Sequence, residues 1–127
     1  MPKRILIADD NALMRRLIRG VLESQPGLEV CGEAVDGVEA IEKATELRPD
    51  LVVLDLSMPR MHGLEAGRRL KILIPAVRLI LFTMHRDVVR GLEGSSAGID
   101  VVISKSEGMG ALVTEIHGMF RAQSAAS

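Results

Sequence analysis

The residues in this chain best suited to joint chemistry are the acidic pair Asp9-Asp10, Asp55, Thr83 and Lys105. Carboxylates gathered in one crevice repel one another, and a divalent cation relieves that repulsion. An all-oxygen donor set suits Mg²⁺, which keeps several waters and leaves room for a phosphate oxygen. Lys105 offers a positive charge to a further phosphate oxygen, and Thr83 offers a hydroxyl donor. A carboxylate held among a metal, a lysine and a hydroxyl is a candidate nucleophile toward phosphorus. The cation and the lysine would offset the charge that spreads over the transferring phosphoryl oxygens. Taken singly, each residue has a plainer reading: Asp as a turn or cap, Thr as structural, Lys as solvated. Their common placement is what carries the argument.

That placement comes from short apolar runs. Ile5–Ala8 stops at Asp9-Asp10, Leu51–Leu54 at Asp55, Arg78–Phe82 at Thr83, and Val101–Ile103 at Ser104-Lys105. Runs this short and this apolar read as strands buried on both faces. Pro49 and Pro59 bracket the third run, so neither of its ends continues as helix. A further strand is predicted over Leu28–Ala34. It offers no comparable polar residue at its end, which an edge position outside the first strand would explain.

Helical patterns fill the gaps. Leu13, Met14, Leu17, Ile18, Val21 and Leu22 share one face, with Arg15, Arg16 and Arg19 off it. Asn11 is the predicted N-cap, and Pro26-Gly27 the stop. Asp36-Gly37-Val38-Glu39 reads as a capping box before a stripe of Ile41, Ala44 and Leu47. Gly63 opens a helix with Leu64, Leu70 and Leu73 inward, ended by Pro75. Asp87–Glu93 is weakly helical, and Gly94–Gly98 reads as a loop. The last helix carries Met109, Leu112, Val113, Ile116, Met119 and Phe120. Strands alternating with helices predict an α/β domain, a parallel sheet with helices on both faces. Ligands of such sheets bind beyond the C-terminal strand ends.

A length of 127 residues suits one domain, expected over 1–122, with 123–127 as a C-terminal tail or the start of a linker. The net charge of -1 gives no reason to expect nucleic-acid or membrane binding by the domain itself. Two Phe and no Tyr or Trp argue against stacking platforms for bases. The single cysteine, Cys31, reads as a small buried strand residue, and a cytoplasmic setting is the default expectation. Met1–Arg4 leads into too short an apolar run for a signal peptide or a membrane span.

The set Ile5-Leu6-Ile7-Ala8-Asp9-Asp10, Leu54-Asp55-Leu56-Ser57-Met58-Pro59, Gly63, Thr83 and Lys105 resembles the receiver domains of bacterial two-component response regulators, over residues 3–122. The resemblance implies a flavodoxin-like (βα)5 sandwich with parallel strand order 2-1-3-4-5. It implies that Asp55 accepts a phosphoryl group from a sensor histidine kinase. Asp9, Asp10, Asp55 and the backbone carbonyl of Ser57 would hold Mg²⁺. Thr83 would bond the phosphoryl group, and Lys105 would form the ion pair. It also implies homodimerisation through the face of the fourth helix, fifth strand and fifth helix. Thr83-Met84-His85 and Lys105-Ser106 look most like receivers of helix-turn-helix transcriptional regulators, in which DNA is bound only through an output domain outside these residues.

The sequence departs from the family pattern at Val102, where an aromatic residue is usual, and at Gly94, Ser95 and Val101. The segment 87–96 is therefore expected to be a short or mobile helix. Ser57 and His85 occupy the two variable positions that, by the resemblance, would tune hydrolysis of the acyl phosphate. His62 reads as a solvated loop residue and His117 as partly exposed on the last helix. The expected function is a signalling switch, not an enzyme. A phosphohydrolase would need a second carboxylate where Ser57 stands. A phosphorylation-independent adaptor is the alternative that Val102 and the glycine-serine segment keep open.

Overall fold

The computed structural model describes residues 1–84 and 98–126. The element order is β1 (Lys3–Ala8), α1 (Ala12–Glu23), β2 (Leu28–Ala34), α2 (Gly37–Leu47), β3 (Leu51–Leu54), α3 (Gly63–Leu73), β4 (Arg78–Thr83) and β5 (Val101–Ser104). A single 3-10 turn, Lys105–Glu107, leads into α4 (Met109–Ala126). The expectations for 87–96, for Gly94 and Ser95 and for His85 lie outside the described residues. Helix α4 continues to Ala126, past the Phe120 at which its apolar pattern stops.

The strands form one sheet in the order β2-β1-β3-β4-β5, with parallel neighbours throughout. Both the sheet and its order match the expectation, and β2 takes the edge. Alternate residues feed two apolar cores because strand side chains alternate across the sheet. Ile5, Ile7, Leu51, Val53, Ile80, Phe82 and Ile103 meet α1 and α4 through Ile18, Leu22, Leu112, Ile116, Met119 and Phe120. Leu6, Ala8, Val52, Leu54, Leu79 and Leu81 meet α2 and α3 through Ala40, Ala44, Ala66 and Leu70. Among the described residues no helix is long and apolar enough to cross a membrane.

Several local readings need correction. Leu13 and Leu17 are 62% and 48% exposed, so α1 is anchored by Ile18 and Leu22. Twelve helical residues present more apolar surface than one sheet face can cover. In α2 the buried residues are Gly37, Ala40 and Ala44, with Ile41 and Leu47 half-buried beside them. Leu73, at the end of α3, is 47% exposed, while Ala66, Gly67 and Leu70 face the sheet. Cys31 is half-buried, not buried. Ile5 pairs with Val30 and Leu6 with Gly32, so Cys31 is the extra residue of a bulge on the edge strand. Burial still pushes its thiol pKa up, against the pull of Arg4.

The caps behave largely as read. Asn11 accepts the Met14 N–H through Oδ1 at 3.0 Å. Asp36 accepts the Glu39 N–H at 2.8 Å, but Glu39 returns its carboxylate to the Val35 N–H at 3.0 Å, one residue earlier than a capping box requires. His62 is exposed as read, and it also caps α3, with Nδ1 accepting the Glu65 N–H at 3.3 Å. His117 is half-buried, with Nε2 at 3.2 Å from Gln25 Oε1.

Candidate functional site

Parallel pairing brings the polar strand ends together. Ala8 pairs with Leu54, and the Asp55 N–H donates to the Ala8 carbonyl at 2.9 Å. Asp9 and Asp55 therefore emerge side by side from the adjacent strands β1 and β3. Thr83 pairs with Ser104 at the end of β4 and β5, one residue before Lys105. Asp9, Asp55 and Thr83 are buried, while Asp10 is exposed at the rim. Ligand oxygens of Asp9, Asp10 and Asp55 lie within 4.8 Å of one another. Lys105 Nζ is 2.7 Å from Asp9 Oδ2 and 3.3 Å from Asp55 Oδ2. The five sequence-predicted side chains thus converge on one crevice. Ser57 is exposed in the loop just after β3.

Electrostatics follow from this crowding. Burial and the neighbouring Asp9 charge raise the Asp55 pKa, against the opposing pull of Lys105 and a hydrogen bond with Thr83. Burial works against the Lys105 ammonium, yet the Asp9 hydrogen bond and the charges of Asp55 and Asp9 outweigh it and raise its pKa. Three carboxylates facing one ammonium leave the crevice short of positive charge.

The donor set fits a hard divalent cation. Two oxygens on one Mg²⁺ stand at most about 4.2 Å apart, so small side-chain adjustments would bring these carboxylates onto a shared ion. Among the described residues the cluster offers carboxylate oxygens, the donor type that suits Mg²⁺.

Supporting residues escaped the sequence reading. Arg15, grouped there with the outward arginines of α1, donates to the Asp9 carbonyl at 2.7 Å and to Glu33 at 3.0 Å. Arg19 binds the other Glu33 oxygen at 2.7 Å. Burial opposes ionisation of Glu33, but the two guanidiniums prevail and lower its pKa. Arg60 grips Asp36 with two nitrogens, at 2.8 and 3.1 Å. That bond and the Glu39 N–H hold the Asp36 carboxyl below its ordinary pKa. Gly63 has its own reason to be glycine: a Cβ there would sit 2.3 Å from the Asp55 carbonyl oxygen. Its N–H donates to Leu56 O at 2.9 Å, tying the start of α3 to the end of β3. A glycine eight residues after a strand-end aspartate was the available signal for this contact.

The response regulator receiver domain model matches residues 5–117. A protein-glutamate methylesterase/protein-glutamine glutaminase of Myxococcus xanthus is 44% identical over 108 residues, 84% of this chain but 31% of that protein. The chemotaxis protein CheY of Thermotoga maritima is 37% identical over 105 residues, 83% of this chain and 87% of that protein. The crystal structure of a LuxR-family two-component response regulator from Aurantimonas sp. SI85-9A1 superposes with a TM-score of 0.88 at 34% identity, covering 96% of this chain and 87% of that one. The chain spans about a third or less of the first curated relatives. It is a CheY-like signalling module of two-component systems and belongs to the response regulator receiver domain family.

Proposed function

We propose that Asp55 is the phosphoacceptor of a phosphorylation-dependent switch, with a sensor histidine kinase as donor. The observation that carries this reading is the Asp55 carboxylate at the end of a central strand, within reach of Lys105, Thr83, Asp9 and Asp10. An Asp55 oxygen attacks phosphorus, the P–N bond of the donor phosphohistidine breaks, and the imidazole leaves with that electron pair and takes up a proton. Mg²⁺, held by Asp9, Asp10, Asp55 and the Ser57 carbonyl, would neutralise charge on the phosphoryl oxygens. Lys105 turns from Asp9 toward the new phosphoryl group, and the Thr83 hydroxyl donates to it. The modification adds roughly -1.5 to -2 charge in a buried crevice, enough to bias an existing equilibrium between two conformations.

The finer reading assigns this receiver to a helix-turn-helix transcriptional regulator that dimerises on phosphorylation and binds DNA through a separate domain. The LuxR-family likeness supports it. The methylesterase and chemotaxis relatives support other outputs for the same switch.

Incubation with acetyl phosphate and Mg²⁺ tests the phosphoacceptor reading. Intact-mass spectrometry should show one added phosphoryl group, stable in acid and labile in base, and none on Asp55→Asn or without Mg²⁺. A chain that takes no label under these conditions acts instead as a phosphorylation-independent adaptor. Steady turnover of many phosphate esters would point to a phosphohydrolase.

A further inference from the structure

We propose that Arg60 and Asp36 form a clasp that presets the loop 56–62, and with it the Ser57 carbonyl, for metal binding; this rests on the phosphoacceptor reading above. Arg60 has φ 64, a left-handed conformation that disfavours a bulky L-residue. Such a conformation persists where the surroundings over-determine it. Here both Asp36 oxygens engage the guanidinium. Asp36 is itself 5% exposed and fixed by the Glu39 N–H at the start of α2. The next residue supplies a second contact: a Cβ on Gly37 would lie 2.2 Å from the Met61 carbonyl oxygen. The loop backbone therefore rests directly against the first turn of α2. Met58 plugs into the core, and Gly63 N–H closes the far end on Leu56.

Ser57 is exposed between these anchors. A backbone carbonyl has no rotamer to adjust, so its aim depends on how its loop is held. The corner between β2 and α2, which contributes no residue to the acidic crevice, sets that aim. Arg60 is thus a positioning residue: it touches neither the metal nor the phosphoryl group. Its loss should weaken Mg²⁺ binding and spare the chemistry at Asp55.

The experiment measures acetyl-phosphate labelling of the full chain against Mg²⁺ concentration, with Mg²⁺ binding followed separately by calorimetry. Arg60→Met should raise the half-saturating Mg²⁺ concentration about tenfold, the low end for loss of a group that orients a metal ligand. The rate at saturating Mg²⁺ should stay within about twofold, as expected for uniform loss of metal binding. Arg60→Lys should fall between the two, since an ammonium cannot reproduce the two-point grip. Asp36→Asn keeps a helix cap of equal quality and removes the charge, so a smaller rise is expected. Gly37→Ala pushes the loop away and should match Arg60→Met. An unchanged Mg²⁺ dependence in Arg60→Met overturns the clasp, whatever Gly37→Ala does, as does a loss of saturated rate without a shift in Mg²⁺ dependence. If wild type itself takes no label, the phosphoacceptor reading fails, and the calorimetric comparison of wild type with Arg60→Met still decides the clasp. Should Gly37→Ala fail to fold, the two Arg60 variants carry the test.

Discussion

As the proposed phosphoacceptor, Asp55 is held in a conflict between folding and function. A buried carboxylate beside Asp9 is costly to ionise, yet only the ionised form can attack phosphorus. The sign of the pH effect follows from its raised pKa. Between the ordinary pKa of an unfolded Asp and the raised folded value, the fold keeps a proton that the unfolded chain has released. Stability therefore falls as pH rises through that window. At neutral pH the ionised Asp55 burdens the fold, and Asp55→Asn should raise the melting midpoint at pH 7 without Mg²⁺ by a few degrees, where about 1 kcal/mol corresponds to roughly 4 °C. The gain should shrink as pH falls toward the carboxylate range. A lowered midpoint at pH 7 would mean that attraction to Lys105 outweighs burial. The site residues were legible because each closes an apolar run, so strand pairing had to gather them. Arg15 and Arg60 were not legible. In sequence they look like any solvated arginine, and their partners, Glu33 and Asp36, lie far along the chain.

The elements set the tolerances of the site. Helix α3 begins against the Asp55 backbone because Gly63 has no side chain, and the Gly63 N–H bond to Leu56 fixes that approach. Gly63→Ala should therefore destabilise by about 1–3 kcal/mol, the range for an extra methyl group forced into close packing. Urea denaturation should show a lower midpoint with an unchanged slope. A neutral result would mean that α3 can slide off β3 without loss, and that the site does not depend on its fit. Helix and strand periods made the element order and most caps readable from sequence. Stripe width was not readable: Leu13, Leu17 and Leu73 continue apolar patterns that the sheet cannot cover. How much of a stripe is buried depends on where each helix crosses the sheet. Side-chain period alone does not contain that angle.

Across the whole molecule, the switch proposed above requires a signal from Asp55 to cross β4 and β5 to reach α4. The sheet, its order and the convergence of the strand ends follow from alternation and parallel pairing, which is why the sequence suffices for them. The route outward is less exposed to sequence reasoning, because it depends on which side chains can move. Val102 pairs with Leu81 and packs, half-buried, on the α2–α3 side of the sheet. A β-branched residue is restricted at χ1 and has no long arm. It cannot follow Thr83 by swinging between two positions as an aromatic ring would. Movement of Thr83 should instead pass through the backbone pairing of Thr83 with Ser104, and from there through Lys105–Glu107 into Met109. The two routes separate experimentally. Val102→Ala should cost about 1 kcal/mol of stability from lost apolar burial. It should leave intact the phosphorylation-dependent change in amide exchange along α4. Thr83→Val should take the phosphoryl label on Asp55 and lose that change. If Val102→Ala abolishes the α4 response while labelling persists, the side chain belongs to the route, and transmission through the β4–β5 backbone is wrong.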